Sequence, residues 1–344
     1  MRVLVTGGSG FLGRHIVQQL LSDEAVSVAI VSRAPKEVDN TKGRLSCHSA
    51  DISSPADVQA VFDKVRPHAV IHTASPQPTD PAATLERTNV QGTTVLLECA
   101  KACEDTRAFV YTSSDSAVVP TKESLTEEKA ELYTASNFNN AYGRSKAIAD
   151  ALVLASNAAE LGTAVIRLPV LYGEHDYNAM IPQLLASIRK KEHKMQVGSN
   201  KKHFEFCYIG KAAEAHLLAM RALLDPATAG DVAGEAFFIS DGRPEPFFDF
   251  ARRCYAAADS PVAINEVTII PLAAMQAMAS AGEWAYRIFT LGSKMPALRR
   301  DSMDYLDRGA RWSLDKAKQR LGYEPVADQD AAIQRSMEWA LANL

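Results

Sequence analysis

The sequence predicts an α/β protein in which a doubly wound parallel sheet is followed by a smaller, mostly helical C-terminal lobe. Apolar runs of strand length alternate with helical patterns along the first half of the chain, as a parallel sheet requires. A glycine-rich turn separates the first run from the first helical pattern. Beyond about residue 173 the alternation ends, apart from one apolar run near residue 236. With 344 residues, 47% of them hydrophobic, the chain can bury a large core.

The predicted elements follow one another at short intervals. Apolar runs predict strands at residues 2–6, 26–31, 44–49, 68–73, 108–113, 164–168 and 236–239. Apolar periodicity predicts helices at residues 15–21, 55–65, 85–103 and 140–161. We place a dinucleotide-binding domain at 1–172, with a return strand within 204–242, and a substrate-binding lobe at 173–203 and 243–344. Ligands of such sheets bind at the carboxyl ends of the strands.

The turn after the first strand has the spacing of a pyrophosphate-binding loop. Gly7 allows the tight exit from the strand, and Gly10 has no Cβ to obstruct a phosphate. Gly13 allows the helix to pack closely on the strand. The amides of Phe11 and Leu12 then lie in the first helical turn, where the helix dipole favours an anion. The loop therefore predicts a bound dinucleotide.

The residue at the end of the second strand distinguishes the two nicotinamide dinucleotides. NAD enzymes usually have an acid there, which binds the ribose 2′-hydroxyl, but this chain has Ser32 followed by Arg33. Both suit a 2′-phosphate, and a guanidinium can also stack on adenine. We therefore favour NADP(H), with NAD(H) as the alternative. Asp51 and Ile52 follow the third strand and are expected near the adenine, where Asp51 either accepts the amino group or only caps the turn.

A tyrosine and a lysine share one face of a predicted helix. Tyr142 and Lys146 are four residues apart, and no other tyrosine of the chain has a lysine at that spacing. Ser114 follows the fifth strand at the mouth of the expected crevice. Transfer of a hydride from a carbinol carbon must be matched by a proton on its oxygen, and a nearby ammonium would lower the pKa of the phenol that accepts it. Ser114 can stabilise the developing charge on the oxygen.

Composition excludes several other classes. The net charge of −4 gives no sign of a basic surface that would bind nucleic acid, and the five cysteines have no metal-binding spacing. Because the chain begins directly with a strand, we expect no signal peptide and a cytoplasmic protein. The apolar stretch at 268–282 is too short to span a bilayer, so no transmembrane span is expected. Peripheral contact with a membrane, such as that of the endoplasmic reticulum, is left open.

Four segments resemble the extended short-chain dehydrogenase/reductase family. They are TGGSGFLG at 6–13, VIHTAS at 70–75, TSS at 112–114 and YGRSK at 142–146. Within this family the chain most resembles the 3β-hydroxysteroid dehydrogenase and sterol-4α-carboxylate 3-dehydrogenase branch. The supporting segments are FVYTSS at 109–114, AHLLAM at 215–220, GEAFFISDGRPEPFFDFAR at 234–252 and DKAKQRLGYEP at 315–325. The resemblance implies a Rossmann sheet and a nicotinamide cofactor.

The resemblance also assigns roles to individual residues. Ser114, Tyr142 and Lys146 match the catalytic trio, and Asn89 matches the asparagine that orients the lysine through water, although it can equally be an ordinary helix-interior residue. Five further residues match segments along the cofactor: Ala74, Ser75, Leu168, Pro169 and Val170. The helices at 85–103 and 140–161 could form a homodimer interface, as in relatives.

The chain departs from the branch at several positions. The branch usually has an acid at Ser32 and an Asp-Asn pair where this chain has Gly210 and Lys211. It also has Arg-Pro where this chain has Arg167 and Leu168. Its C-terminal membrane segment is reduced here to the short stretch at 284–291. These departures indicate a soluble relative with a shifted substrate.

We therefore predict an NAD(P)-dependent oxidoreductase that interconverts a secondary alcohol and a ketone on an apolar, cyclic, steroid- or sterol-like small molecule. If that substrate has a carboxylate beta to the new ketone, decarboxylation can follow without further residues. An apolar pocket wall is expected from Met180, Trp284, Tyr286, Phe289 and Met303, although such residues are more often plain core.

Three alternatives share the fold. A sugar-nucleotide epimerase or dehydratase is one, but the Asp-Glu pair of dehydratases is half missing, because Ser116 follows Asp115. A non-catalytic NADP-sensing regulator is a second, and the intact Tyr142 and Lys146 pair argues against it. A ketone or aldehyde reductase of secondary metabolism, similar to dihydroflavonol reductases, uses the same catalytic residues and stays open.

Overall fold

A seven-stranded parallel sheet is the centre of the protein. The structure is a computed structural model that describes residues 1–34, 43–119, 124–134, 136–138, 140–289 and 300–344. The strands are Arg2–Thr6 (β1), Ser27–Ser32 (β2), Leu45–Ser49 (β3), Ala69–His72 (β4), Ala108–Ser114 (β5), Gly162–Leu168 (β6), Val170–Tyr172 (β7), Met195–Val197 (β8), His203–Phe204 (β9), Phe206–Tyr208 (β10), Glu235–Phe238 (β11), Glu245–Pro246 (β12) and Thr268–Ile270 (β13). The large sheet has the order β11, β6, β5, β4, β1, β2, β3.

Helices cover both faces of this sheet. The α-helices are Phe11–Leu21 (α1), Pro55–Val65 (α2), Ala82–Leu85 (α3), Gly92–Ala102 (α4), Ala141–Ala155 (α5), Met180–Arg189 (α6), Ile209–Leu224 (α7), Ala229–Val232 (α8), Phe247–Ala257 (α9), Leu272–Phe289 (α10), Arg300–Arg308 (α11) and Gln329–Asn343 (α12). π-turns occur at Glu86–Gln91 and Ala317–Leu321, and 3₁₀-turns at Asp115–Ala117 and Ile264–Glu266.

The apolar first strand shows why the sheet is covered on both sides. Val3 and Val5 belong to one core cluster, which contains residues of α1 and α7. Leu4 points the other way, into a second cluster that contains residues of α2, α4 and α5. A strand buried on both faces needs a continuous apolar run rather than alternation. The predicted doubly wound sheet is therefore confirmed.

The strand order places the catalytic and glycine-rich segments together. The chain runs from β1 through β2 to β3 on one side, and it then returns to β4 on the other side of β1. This reversal makes the carboxyl ends of β1 and β4 a topological switch point, where ligands of such sheets bind. Ser114, at the end of β5, lies one strand beyond β4.

The C-terminal half contains more strand than the sequence indicates. Three small two-stranded sheets pair β10 with β7, β12 with β9, and β13 with β8. These strands have only two or three residues, too few to produce a recognisable period. The expected helix at 85–103 is divided by the π-turn Glu86–Gln91, and the one at 140–161 ends at Ala155. Within the described ranges, no helix combines the length and the apolar character that crossing a membrane requires.

Candidate active site

The glycine turn has the close packing that its sequence requires. Gly7 has φ +69°, and a Cβ there would lie 2.9 Å from the backbone of Ala74. A Cβ on Gly13 would lie 2.2 Å from the carbonyl oxygen of Gly7. At Gly10, by contrast, a Cβ would meet only the Gly7 oxygen, and the residue faces solvent. The loop therefore keeps an open surface at Gly10, while Gly7 and Gly13 pack against neighbouring backbone.

The first turn of α1 offers unpaired donors to a ligand. Its first main-chain hydrogen bond runs from the amide of Arg14 to the oxygen of Gly10 (3.0 Å), and no side chain caps it. The preceding helical amides are thus available to an anion. The buried Ser9 hydroxyl oxygen in the same loop also has no partner among the described residues. These donors fit the phosphates of a dinucleotide.

The expected adenosine end lies at the exit of β2 and β3. Ser32 ends β2, and the Arg33 side chain is exposed. Asp51 accepts hydrogen bonds from the Ser53 hydroxyl (2.7 Å) and amide (3.0 Å), and these bonds are the main reason that its pKa is lowered. Arg87 donates to its other oxygen at 2.5 Å. The structure therefore has Asp51 capping the turn, and its contact with adenine stays a prediction, as does that of the buried Ile52.

Tyr142 lies in the first turn of α5, directly beside the end of β5. The Asn140 side chain caps α5 by accepting from the Gly143 amide at 2.8 Å. A Cβ on Gly143 would lie 2.5 Å from the oxygen of Ser116, so only glycine permits this approach. The Ser114 hydroxyl is close enough to Tyr142 to lower the pKa of the phenol. The structure thus brings the predicted pair together, and Gly143 is a required residue that sequence reasoning missed.

Burial shifts the pKa values of Tyr142 and Lys146 in directions that the sequence did not indicate. It raises the pKa of Tyr142 to about 12, against the lowering effect of Ser114, and it lowers the pKa of Lys146 to about 7. Lys146 does not contribute to this shift of the Tyr142 pKa, and the lowering of the phenol pKa by the ammonium stays a prediction. The Lys146 amine instead donates to the oxygen of Thr112 (2.8 Å) and the hydroxyl of Tyr111 (3.3 Å).

Asn89 lies in the π-turn Glu86–Gln91 and contacts the catalytic helix. Its side-chain nitrogen donates to the Ser145 hydroxyl at 2.9 Å, and Ser145 donates to the carbonyl of Tyr142 at the same distance. The side-chain oxygen of Asn89 is buried and has no partner among the described residues. It can accept from a water molecule, so the geometry leaves room for the role that the family implies.

A buried histidine links the glycine turn to Asn89. The Thr93 hydroxyl donates to the main-chain carbonyl oxygen of Asn89 (2.6 Å), so it accepts from Nε2 of His72 (3.0 Å). Nδ1 of His72 then accepts from the Thr6 hydroxyl at 2.6 Å, and that hydroxyl accepts from the amide of Ala74 at 3.3 Å. Burial lowers the pKa of His72 to about 3, which keeps the ring neutral. This chain of bonds was not predicted, because its partners come from separate elements.

A second unpredicted feature is a buried ion pair behind Lys146. Arg167 donates two hydrogen bonds of 2.9 Å to Asp150, and the Ser113 hydroxyl donates to the same carboxylate at 2.8 Å. Both charged side chains are at most 4% exposed. Asp150 follows Lys146 by one helical turn, which is the only signal in the sequence. The carboxylate raises the pKa of Lys146 against the larger effect of burial.

The remaining residues predicted to line the cofactor lie at or just after the ends of β4 and β6. Leu168 pairs with Ser114 across β5 and β6, and Pro169 and Val170 follow it. Ser75 follows Ala74 in the loop after β4 and is exposed. Their contacts with a cofactor stay predictions.

The expected apolar wall is only partly formed. Met180 and Met303 are buried, whereas Trp284 is 69% exposed and Tyr286 is 43% exposed. The indole and the phenol have few neighbours at this place, and their contact with a substrate stays a prediction. The side chain of Phe289 lies outside the described residues.

The chain matches a known family along most of its length. The model of the 3-beta hydroxysteroid dehydrogenase/isomerase family matches residues 4–266. The chain belongs to this family. It is 57% identical over 293 residues to the decarboxylating sterol-4-alpha-carboxylate 3-dehydrogenase of Gibberella zeae, covering 84% of this chain and 96% of that one. The enzyme of the same name from Schizosaccharomyces pombe is 31% identical over 345 residues, covering 98% and 97%.

Solved structures share the fold at low sequence identity. The UDP-glucose 4-epimerase of Thermus thermophilus in complex with NAD superposes with a TM-score of 0.73 at 20% identity, over the full length of both chains. The dTDP-glucose 4,6-dehydratase of Bacillus anthracis with NAD gives a TM-score of 0.74 at 18% identity, covering 100% of this chain and 97% of that one. At this level of identity the likeness shows the fold alone. Family membership makes the chain an oxidoreductase acting on CH–OH groups and confirms the predicted resemblance.

Proposed function

We propose that the protein oxidises the 3-hydroxyl of a sterol that has a carboxylate on the neighbouring carbon. The relatives at 57% and 31% identity are named for this substrate. The observation that carries the proposal for this chain is the placement of Tyr142 against Ser114 at the carboxyl edge of the sheet. A tyrosine and a serine at that edge suit proton transfer at a carbinol oxygen.

The residues present fit a nicotinamide dinucleotide. The amides of Phe11 and Leu12, with the open surface at Gly10, would hold its pyrophosphate, and Lys146 would reach its ribose. When bound, the cofactor supplies the acceptor for the hydride. This assignment of the cofactor residues is supported by the free donors of the glycine turn.

The protein's own residues would handle the proton. The Tyr142 oxygen would accept the proton of the substrate hydroxyl as the phenol's own proton passes on toward Lys146, while Ser114 donates a hydrogen bond to the substrate oxygen. Lys146 can then accept a proton near neutral pH, because burial lowers its pKa to about 7. Asn89, through its free side-chain oxygen, would hold a water beside the amine.

We further propose that the chain prefers NADP(H) to NAD(H). Ser32 offers a hydroxyl rather than an acid at the end of β2, and Arg33 extends into solvent beside it. Ser32→Asp should repel a 2′-phosphate and accept from a ribose hydroxyl, so the ratio of kcat/KM for NADP to that for NAD should fall by about tenfold or more. Steady-state kinetics with both cofactors measures the ratio. Ser22→Asp, an exposed change at the end of α1, serves as the control, and an unchanged ratio in Ser32→Asp contradicts this preference.

The proposed function is tested by a substrate panel. The purified protein is incubated with NADP⁺ or NAD⁺ and a 4α-carboxysterol, a neutral cyclic alcohol or UDP-glucose, and the ultraviolet absorbance of the reduced cofactor is followed. We expect cofactor reduction with the carboxysterol and release of a decarboxylated ketone. Epimerisation of UDP-glucose without oxidation of any sterol would instead favour the sugar-nucleotide alternative. Cytoplasmic location, peripheral membrane contact and a homodimer stay predictions.

A further inference from the structure

A buried acid lies beside Ser114, outside the residues used in the proposed chemistry. Asp115 is 6% exposed and accepts hydrogen bonds from the hydroxyls of Ser114 (3.3 Å) and Tyr305 (3.4 Å). Tyr305 belongs to α11, so this contact connects the C-terminal part of the chain to the reactive end of β5. The α11 residues beside Asp115 therefore lie next to Ser114, where the substrate oxygen is expected.

The side chain of Arg308, the last residue of α11, is anchored by Tyr133, and its Nε–H group has no acceptor among the described residues. Its Nη1 donates to the Tyr133 hydroxyl at 3.0 Å, and its guanidinium lies 5.1 Å from the centre of the Tyr305 ring. Its Nε is buried and has no partner among the described residues. No ion pair joins Arg308 to a carboxylate in the described part of the chain, although its charge lowers the pKa of Asp115.

Trp312 supplies a second unused donor at the same place. Its indole stacks on the Phe238 ring at 4.5 Å with an angle of 10° between the planes, which fixes its orientation. The side chain is 6% exposed and lies close enough to Asp115 to lower the pKa of that acid. The indole N–H faces Asp115 without completing a hydrogen bond with any described residue. A buried donor without a partner is costly unless a ligand supplies the acceptor.

A cation and two unpaired N–H groups together favour a carboxylate ligand. Arginine binds carboxylates through charge-assisted hydrogen bonds, which are strong where water is excluded. In the proposed substrate the carboxyl carbon is only two bonds from the carbinol carbon. When the carbinol oxygen meets Ser114, the carboxylate must therefore lie close to that residue, where Asp115 and its neighbours from α11 are found.

We propose that Arg308, assisted by the indole N–H of Trp312, binds the carboxylate of the substrate and so selects 4-carboxysterols over neutral sterols. This inference rests on the proposed function. Asp115 does not oppose it, because burial raises the pKa of this acid to about 6, so that it takes up a proton more readily than an ordinary aspartate when a second carboxylate approaches.

The test compares two substrates in one variant. Oxidation of a 4α-carboxysterol and of the corresponding 4α-methylsterol is followed in the unaltered protein and in Arg308→Gln. We expect kcat/KM for the carboxysterol to fall by about 10- to 100-fold, because a charge-assisted bond to the substrate is lost. The value for the methylsterol should change by less than about threefold, since that substrate never uses the cation. Arg308→Lys, which keeps the charge without the planar donors, should give an intermediate loss.

Two controls separate recognition from folding. Arg300→Gln makes the same change at an exposed residue of α11 and should leave both substrates unaffected. Cofactor affinity and melting temperature should match the unaltered protein in every variant used.

Equal losses for both substrates, or no loss for the carboxysterol, would overturn the carboxylate assignment while leaving the proposed oxidation intact. If Arg308→Gln does not fold, the same comparison in Arg308→Lys decides. An unaltered protein that oxidises neither sterol defeats the proposed function, and the inference with it.

Discussion

Replacing Tyr142 by phenylalanine is expected to lower kcat by about 10³-fold while cofactor affinity stays nearly unchanged. The change removes one oxygen at the position that would exchange a proton with the substrate, and general acid–base groups contribute losses of this size. The phenyl ring still fills the buried space beside Ser114. Single-turnover absorbance of the reduced cofactor measures the chemical step, and fluorescence titration measures cofactor binding.

The matched control for this variant is Tyr323→Phe. Tyr323 is also buried, and its hydroxyl donates to the oxygen of Ser240 at 2.9 Å, so its replacement removes a hydroxyl hydrogen bond of the same kind. We expect the control to lose some stability and to keep its turnover. If Tyr142→Phe retained more than about a tenth of kcat, the proton role of Tyr142 would be refuted.

Replacing Arg167 by methionine is expected to lower the free energy of unfolding by about 3–5 kcal/mol. The substitution leaves Asp150 fully buried and removes both hydrogen bonds from the guanidinium, so that the Ser113 hydroxyl is its remaining hydrogen-bond donor among the described residues. An unpaired charge in the protein interior lowers the free energy of unfolding by more than the ion pair contributes to it. The reason is that the desolvation penalty of the remaining charge is no longer offset by its partner. The midpoint of urea unfolding, followed by circular dichroism, measures the loss.

A double variant tests the reason for that loss. Asp150→Leu combined with Arg167→Met removes both charges and should recover most of the stability, since apolar pairs of similar volume often replace buried ion pairs without cost. A single variant within about 1 kcal/mol of the unaltered protein would show that the pair is not isolated from water. The single variant should also raise the pKa of Lys146, because Asp150 would no longer be neutralised by Arg167.

The sheet could be predicted because its strands are buried on both faces. Such strands appear as uninterrupted apolar runs, as at β1, and helices of ordinary length separate them. The strands of two or three residues in the C-terminal half contain no such run. Their pairing depends on where α6 to α10 lie, which no local pattern records.

The reactive residues could be predicted from residue type and spacing, but their pKa values could not. Tyr142 and Lys146 share a helix face, and Ser114 ends a strand, so their proximity follows from local structure. The shifted pKa values arise from burial, which is a property of the assembled fold. Arg308 gave no signal, because nothing near it in the sequence indicates that its charge lies close to Asp115.

The neutral ring of His72 has a consequence for engineering. It joins Thr6 in the first strand to Thr93 in the helix after the π-turn, and both ring nitrogens are used in these two hydrogen bonds. A nucleotide loop transplanted from a distant homologue would therefore disturb the π-turn at the main-chain carbonyl of Asn89, to which Thr93 donates, even though the two regions are far apart in the sequence. Grafts that exchange the opening loop, the VIHTAS strand and the π-turn as one unit should preserve turnover where single-segment swaps do not.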